Sequence, residues 1–381
     1  MKICYIADAG LIHTETWVKY FADKGHEIHW ISPEPFEGDN TGDLKLYLLK
    51  RVRPRIRIIS VLIDILCQIV QTRRLVRKIK PDILHGHYIF VNGFLAALSG
   101  FHPLILTVWG SDVFVDPHRS RIHRCAVRLA LKRADLVTTS SRYTNEYIRQ
   151  ELNVSPNKIK TIPWGIVINL FQKGYLSEVR TLRKNLNIDD NTFTVISPRA
   201  MGEHYGIEFI VKSIPHIIEK YPNICFIFLR GFAMSTSYEN KLKAMAENLG
   251  VKEYTRFVPQ RLDREEMAIY YNMCDIFVSI PRTDQFASCI VEGMACGIIP
   301  IVGNLEVYRE YLTDSKNAFF VDRENPKDIA EKVIHCIEHP ELKERFYRIN
   351  RKIVEEKLDW DKTAPYMEDL YLSLSQARPL E

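Results

Sequence analysis

The sequence predicts an α/β protein built from two Rossmann-like, doubly wound parallel-sheet units facing a central cleft. Three observations predict it: a length of 381 residues, two separate series of short apolar runs, and helical patterns between successive runs in each series. A single core stops growing well before that length, so two domains are the natural division. Apolar runs that alternate with helical segments specify parallel strands, because the crossover helices cover both faces of the sheet. A composition that is 46% apolar and 26% charged, without a repeat period or low-complexity tract, excludes a disordered chain and a solenoid.

In the first series, residues 2–7 run apolar into Asp8-Ala9-Gly10. Trp17, Tyr20 and Phe21 then fall at helical spacing before Gly25, which makes a strand, a turn and a helix. Residues 27–32 form the next strand, ended by Pro33-Glu34-Pro35. A helical pattern over 61–78 feeds a strand near 81–85, and residues 104–108 supply another. The second series comprises residues 194–197, 225–229, 256–258, 276–279 and 299–302. Residues 172–191 are polar and lack a strong apolar run, so the interdomain linker is expected there, dividing the chain into 1–172 and 173–360. Trp360, Tyr366, Leu370 and Leu374 sit at helical spacing, and segment 361–381 is expected to pack back on the first domain. Ligands of open parallel sheets lie beyond the carboxyl ends of the strands, which directs attention to the loops there.

Charge is uneven. The net value is +5, but residues 1–170 hold 24 Lys/Arg against 15 Asp/Glu, and residues 171–381 hold 28 against 32. Much of the excess lies in residues 50–80 and 118–133. Two readings fit it: solvated helix faces, or a surface that meets an anionic membrane or an anionic acceptor. The modest total and the lack of a recognition motif exclude nucleic acid as the partner. The eight cysteines are scattered through apolar segments, with no C-x-x-C pair, and read as reduced thiols. Asp8 interrupts the first apolar run, and the apolar stretch 58–70 contains Asp64 and Gln68 and falls short of the ~20 residues a membrane span needs. The expected location is cytoplasmic, peripheral at the inner membrane face.

The most informative stretch runs from Pro281 to Val302. It follows a strand directly and opens a helix that ends at Gly297. The amides of Phe286, Ala287 and Ser288 then lie at a helix N-terminus, where unpaired N–H groups and the macrodipole favour an anion such as a diphosphate. Glu292, one turn further in, is placed to accept hydrogen bonds from two hydroxyls of a ribose.

Here the chain resembles the retaining family 4 (group 1) glycosyltransferases of B-type fold. Their signature is an acidic residue, seven residues, then Glu and a small-Met-Ala-Cys-Gly run, matched by Asp284 and by Glu292-Gly293-Met294-Ala295-Cys296-Gly297. The first acidic residue is Asp284 where the family usually has Glu. The resemblance implies that Glu292 holds the ribose and Asp284 holds sugar hydroxyls near the reacting carbon. In the family, the loop after the first strand of the second domain gives an Arg and a Lys to the diphosphate. Arg199 matches the Arg, whereas His204 or Tyr205 stands at the Lys position. Arg suits the task because its planar fork pairs bidentately with phosphate oxygens.

The resemblance extends into the first domain. Residues 12–17 and 25–28 and the run Pro81-Asp82-Ile83-Leu84-His85-Gly86-His87-Tyr88 look like one subgroup of these enzymes. Thr107-Val108-Trp109-Gly110-Ser111-Asp112 lies where many members have Thr-x-His-Gly-x-Asp, so Trp109 replaces the His that would contact the sugar. Asp112 keeps its place, although a helix cap accounts for it equally well. Pro163-Trp164-Gly165-Ile166-Val167 resembles the family turn before the linker, with Val167 in place of Asp. His85-x-His87 has no third ligand nearby in sequence and is not read as a metal site. Asp359-Trp360-Asp361 is read as a helix cap.

The resemblance implies transfer of a hexosyl group, with retention and without a metal or other cofactor, from a nucleotide diphosphate sugar to a saccharide or lipid-linked acceptor. UDP-sugars stand ahead of GDP-sugars, and surface polysaccharide or glycolipid synthesis is the expected setting. The catalytic candidates are Arg199, Asp284 and Glu292; Tyr205, Phe286, Ala287 and Ser288 join them around the donor. Gly10, His13, Trp109 and Asp112 are expected on the acceptor side. The alternatives are a nucleotide-sugar epimerase of the same fold and a non-catalytic sugar-nucleotide-binding module. A dinucleotide oxidoreductase is disfavoured, since no G-x-G-x-x-G follows the first strand.

Overall fold

The computed structural model describes residues 1–34, 44–51, 57–231 and 235–376, so part of the basic stretch 50–80 and the last five residues lie outside the described residues. The chain forms two compact units, residues 1–162 with 365–381, and residues 163–364.

The first unit carries strands β1 (Lys2–Ile6), β2 (Glu27–Ser32), β3 (Lys45–Leu48), β4 (Ile83–His87), β5 (Leu104–Thr107), β6 (Leu136–Thr139) and β7 (Ile159–Thr161). They form one sheet in the order β3-β2-β1-β4-β5-β6-β7, and every pairing in it is parallel. The order reverses direction between β1 and β4, which makes the loops after these two strands the switch point where such sheets bind ligands. The second unit carries β8 (Phe193–Ser197), β9 (Ile224–Leu229), β10 (Thr255–Val258), β11 (Ile276–Ser279), β12 (Ile299–Gly303) and β13 (Phe319–Val321). Its order is β10-β9-β8-β11-β12-β13, and its switch point lies between β8 and β11.

Alternation along the strands builds the second core. Cys225, Ile227 and Leu229 of β9 face one buried cluster, while Phe226 and Phe228 face the other. Successive side chains of a strand point to opposite faces, so a sheet covered on both sides needs the unbroken apolar run that β9 shows. Burying each such Phe or Ile stabilises the fold by roughly 1.5–3 kcal/mol.

Two expectations about organisation change. The polar segment 172–191 contains a helix, Leu176–Asn185, and the division falls after Ile162, earlier than the expected boundary at 172/173. Packing explains the difference, because Ile166 and Phe171 sit in a core of the second unit. Ile166 also exchanges backbone hydrogen bonds with Leu358 and Trp360. The terminal helix Trp360–Gln376 spans the second crossing. Its Tyr371 belongs to the first unit, where the ring lies 4.9 Å from that of Phe21.

Candidate active site

At the switch point of the second unit, the loop after β8 brings Arg199 and the loop after β11 brings Asp284. The two side chains form an ion pair, each only 9% exposed. Arg199 Nε also donates to Ser279 Oγ at 2.8 Å. Asp284 Oδ1 accepts from the Gln285 amide at 2.9 Å, and Asp284 Oδ2 accepts from the Tyr308 hydroxyl at 2.7 Å. Sequence reasoning assigned Arg199 and Asp284 to separate parts of a donor; in this state they are each other's partner.

The same two loops are tied together directly. The Arg282 amide donates to the His204 carbonyl at 2.9 Å, and His204 Nε2 lies 3.0 Å from the Thr283 carbonyl. Burial pushes the His204 imidazole below its ordinary value, which disfavours its charged form at the position where the family has Lys. Tyr205 lays its ring 5.5 Å from the Arg199 guanidinium carbon. Gly206 turns with φ +70°, and a Cβ there would meet Arg323 Nη2 and the Ile280 carbonyl at 2.9 Å. The loop therefore requires glycine, and Arg323 brings a second guanidinium against it, donating from Nε to Ile280 O at 3.2 Å.

The helix expected between about Phe286 and Gly297 is Ser288–Cys296, with Ala287 at its N-cap and no side chain capping it. Its first amides are thus left for another acceptor. Phe286 has φ +69°, a strained conformation for a side-chain-bearing residue. Its ring is buried, 4.8 Å from that of Tyr311, in one cluster with Ile290 and Val291 of the helix. The signature glycines have structural causes. A Cβ on Gly293 would come within 2.6 Å of the Phe277 ring on β11, and Gly297 closes the helix at φ +84°. Glu292 sits one turn inside the helix and half-buried. Burial raises its carboxyl above the ordinary value, against the pull of Arg264 and of hydrogen bonds from Tyr271 and Ser288. The Tyr271 hydroxyl lies 3.1 Å from both Glu292 Oε2 and the Cys289 carbonyl.

The switch point of the first unit is built differently. Gly10 lies in the loop after β1, and no atom stands within 4 Å of where its Cβ would be. The His13 ring meets that of Trp109 edge-on at 5.7 Å, and Trp109 lies 5.9 Å from His87. The structure therefore gathers His13 and Trp109, with His87 added. Asp112 requires a correction, because it is fully buried and is not presented to a ligand. Its oxygens accept from the amides of Ile89 at 2.8 Å, Trp109 at 3.1 Å and Gly110 at 2.8 Å. It staples the loop after β4 to the loop after β5. Burial outweighs those amides and raises its carboxyl to about 7.

His85 and His87 are buried side by side, their rings 4.4 Å apart. His85 Nδ1 lies 2.5 Å from the Tyr371 hydroxyl and Nε2 lies 2.6 Å from Thr107 Oγ1. Both nitrogens of His87, with Thr14 Oγ1 and Asn92 Oδ1, are buried without a hydrogen-bond partner. Burial lowers His87 to about 3, so it is neutral. Tyr88, at φ 70°, leads into a π-helical turn, Ile89–Gly93, a feature that frequently marks functional positions. Tyr308, Ser279, Tyr271, Asn92 and the His204 contact escaped the sequence reading. Of these, only a polar residue beside a motif, as in Asn92 after His85-x-His87, offered a local signal.

Two units of this architecture are those of a glycosyltransferase of B-type fold. HepE of Anabaena in complex with UDP-glucose has the same fold, with a TM-score of 0.81 at 18% identity, covering 98% of this chain and all of that one. Residues 2–141 match the family model described as glycosyl transferase 4-like. Residues 178–353 match the model of glycosyl transferases group 1, and the chain belongs to the group 1 glycosyltransferases. An uncharacterized glycosyltransferase of Methanocaldococcus jannaschii is 24% identical over 369 residues, covering 96% of this chain and 94% of that protein. The alpha-monoglucosyldiacylglycerol synthase of Acholeplasma laidlawii is 22% identical, covering 84% and 82% respectively. Among the described residues, no helix is long and apolar enough to cross a membrane.

Proposed function

We propose that this chain transfers a hexosyl group from a UDP-sugar to an acceptor hydroxyl, with retention of configuration, in the synthesis of a surface polysaccharide or glycolipid. The observation that carries the reading is the placement of Glu292 one turn inside an uncapped helix whose opening follows the Arg199–Asp284 pair. A nucleoside diphosphate fits that arrangement, with ribose hydroxyls on Glu292 and phosphates on Arg199, the helix amides and the dipole. In the reaction the bond from the anomeric carbon to the phosphate oxygen breaks, and a bond to the acceptor oxygen forms on the same face. The acceptor proton passes to the departing phosphate oxygen. Arg199 and the amides stabilise the charge that develops there, the task for which preoriented donors are most effective, and no metal is assigned to it.

The acceptor belongs to the first unit in this reading, near His13, Trp109 and the neutral His87. A cytoplasmic protein at the inner membrane face fits the outer helices of that unit. Leu66 and Val70 are exposed on helix Arg57–Ile79, beside the exposed Arg73, Arg74 and Arg77, and Ile122 is 80% exposed on the basic helix Arg121–Arg133. Both helices pack on the intervening helix Phe94–Ser99, and apolar side chains among cations suit an anionic lipid surface.

Calorimetry with UDP, GDP and ADP tests the donor site. The wild type is expected to prefer UDP, and Glu292→Ala is expected to bind it at least tenfold more weakly, since hydrogen bonds to a charged group contribute about 1.5–3 kcal/mol. Unchanged affinity in that variant removes Glu292 from the site. Donor interconverted without any acceptor would point to an epimerase, and binding without turnover of any donor to a non-catalytic module.

A further inference from the structure

Asp284 Oδ2 is shared by two donors from different parts of the second unit. One is Arg199 after β8, and the other is Tyr308, in the short helical turn Glu306–Glu310 that follows β12. Tyr308 is fully buried, and Arg199 Nη2 also reaches its hydroxyl at 3.4 Å. Its ring packs edge-on to that of Phe286 at 6.1 Å, which fixes the direction of the hydroxyl. Nothing else in the sequence marks this tyrosine.

The donor-site reading above, on which this inference rests, asks Arg199 to give hydrogen bonds to a diphosphate. Any guanidinium N–H it turns outward is withdrawn from Asp284. A carboxylate only 9% exposed and stripped of its cation is costly in itself, and it stands near an incoming dianionic group. We propose that Tyr308 is a positioning residue for the donor: its hydroxyl, with the Gln285 amide, holds the Asp284 carboxylate while Arg199 exchanges it for the diphosphate. Burial first and the Asp284 charge second keep the Tyr308 hydroxyl well above its ordinary value, so it remains a proton donor through the exchange. Tyr308 touches neither the sugar nor the phosphates in this scheme and acts through Asp284 alone.

The test is a double-mutant cycle read by calorimetry with UDP, GDP and ADP. Tyr308→Phe removes one oxygen and leaves the packing against Phe286. It is expected to weaken the preferred nucleotide about tenfold, the loss expected when a buried charged acceptor loses one donor. In an Asp284→Asn background, where no carboxylate needs holding, the same substitution is expected to change affinity less than about twofold, as coupling through a shared partner demands. An equal loss in both backgrounds, or none in either, overturns the proposal. Should Tyr308→Phe fail to unfold cooperatively, 3,5-difluorotyrosine at position 308 keeps the shape and strengthens the donor; it is expected to tighten nucleotide binding, and weaker binding overturns the proposal. A wild type that binds none of the three nucleotides would instead overturn the donor-site reading, and this inference with it.

Discussion

The two switch points occupy equivalent places in two sheets of similar topology, yet one is built around a buried ion pair and the other around buried imidazoles. In the second unit, the loops after β8 and β11 concentrate Arg199, Asp284 and their hydroxyl partners within a buried network, and Glu292 follows one turn into the next helix. In the first, the end of β4 and the turns beside it bury His87, Asn92 and Thr14, each with a polar side-chain atom that lacks a hydrogen-bond partner, and the carboxyl of Asp112 is consumed in fastening backbone. Many cations of the first unit lie on the helices Arg57–Ile79 and Arg121–Arg133. The difference between the two places lies in side chains on and beside the loops rather than in the sheets.

The sharpest way to break the comparison is to remove its central charge. Arg199→Ala is expected to lower turnover by ~10²-fold or more, the usual cost of losing one donor to a developing oxyanion. Because Asp284 is then left buried without its cation, the folded fraction must be followed in parallel by its melting transition. A folded variant with an unchanged rate would move the phosphate site elsewhere.

The burial of Asp112 in the first unit is tested by pH. Asp112 is held at about 7 in the folded chain, against about 3.9 for an unperturbed aspartate. Across that window the folded state keeps a proton that the unfolded state has released, so stability falls as pH rises from ~4 to about 7 and stays lower above it. Asp8, raised to about 6 by burial and by Glu34, acts in the same direction. Asp112→Asn is expected to flatten most of that decline in denaturant midpoints, and an identical slope in wild type and variant would contradict the burial argument. The smallest effect concerns the outer helices. Arg74→Ala is expected to weaken binding to phosphatidylserine-containing vesicles about fivefold at low salt, since one basic residue near an anionic surface contributes about 1 kcal/mol. Equal binding to neutral and anionic vesicles would leave the exposed arginines as a solvated face.

Much of this was legible in the sequence because central strands are buried on both sides. Residues 225–229 and 276–278 had to be apolar throughout, and their runs are visible. The two edge strands of the first sheet were not: β3 is exposed at Lys45 and Leu48, and the middle residue of β7, Lys160, is exposed, so neither carries such a run. The signature helix was legible because Gly293 and Gly297 answer to steric demands that no other residue meets. Tyr308 was hidden for the opposite reason: a buried hydroxyl is informative only once Asp284, 24 residues earlier, is seen beside it. The role of Asp112 was obscured likewise, since its amide partner at Ile89 comes from a different loop.

A crystal structure of the complex with UDP examines the central claim most directly. The account predicts both ribose hydroxyls within hydrogen-bond reach of the Glu292 carboxylate, and the diphosphate over the amides that open the helix at Ser288, with Arg199 turned toward it. A nucleotide lodged away from that helix, with Glu292 still bound to Tyr271 and Arg199 still paired to Asp284, would contradict it.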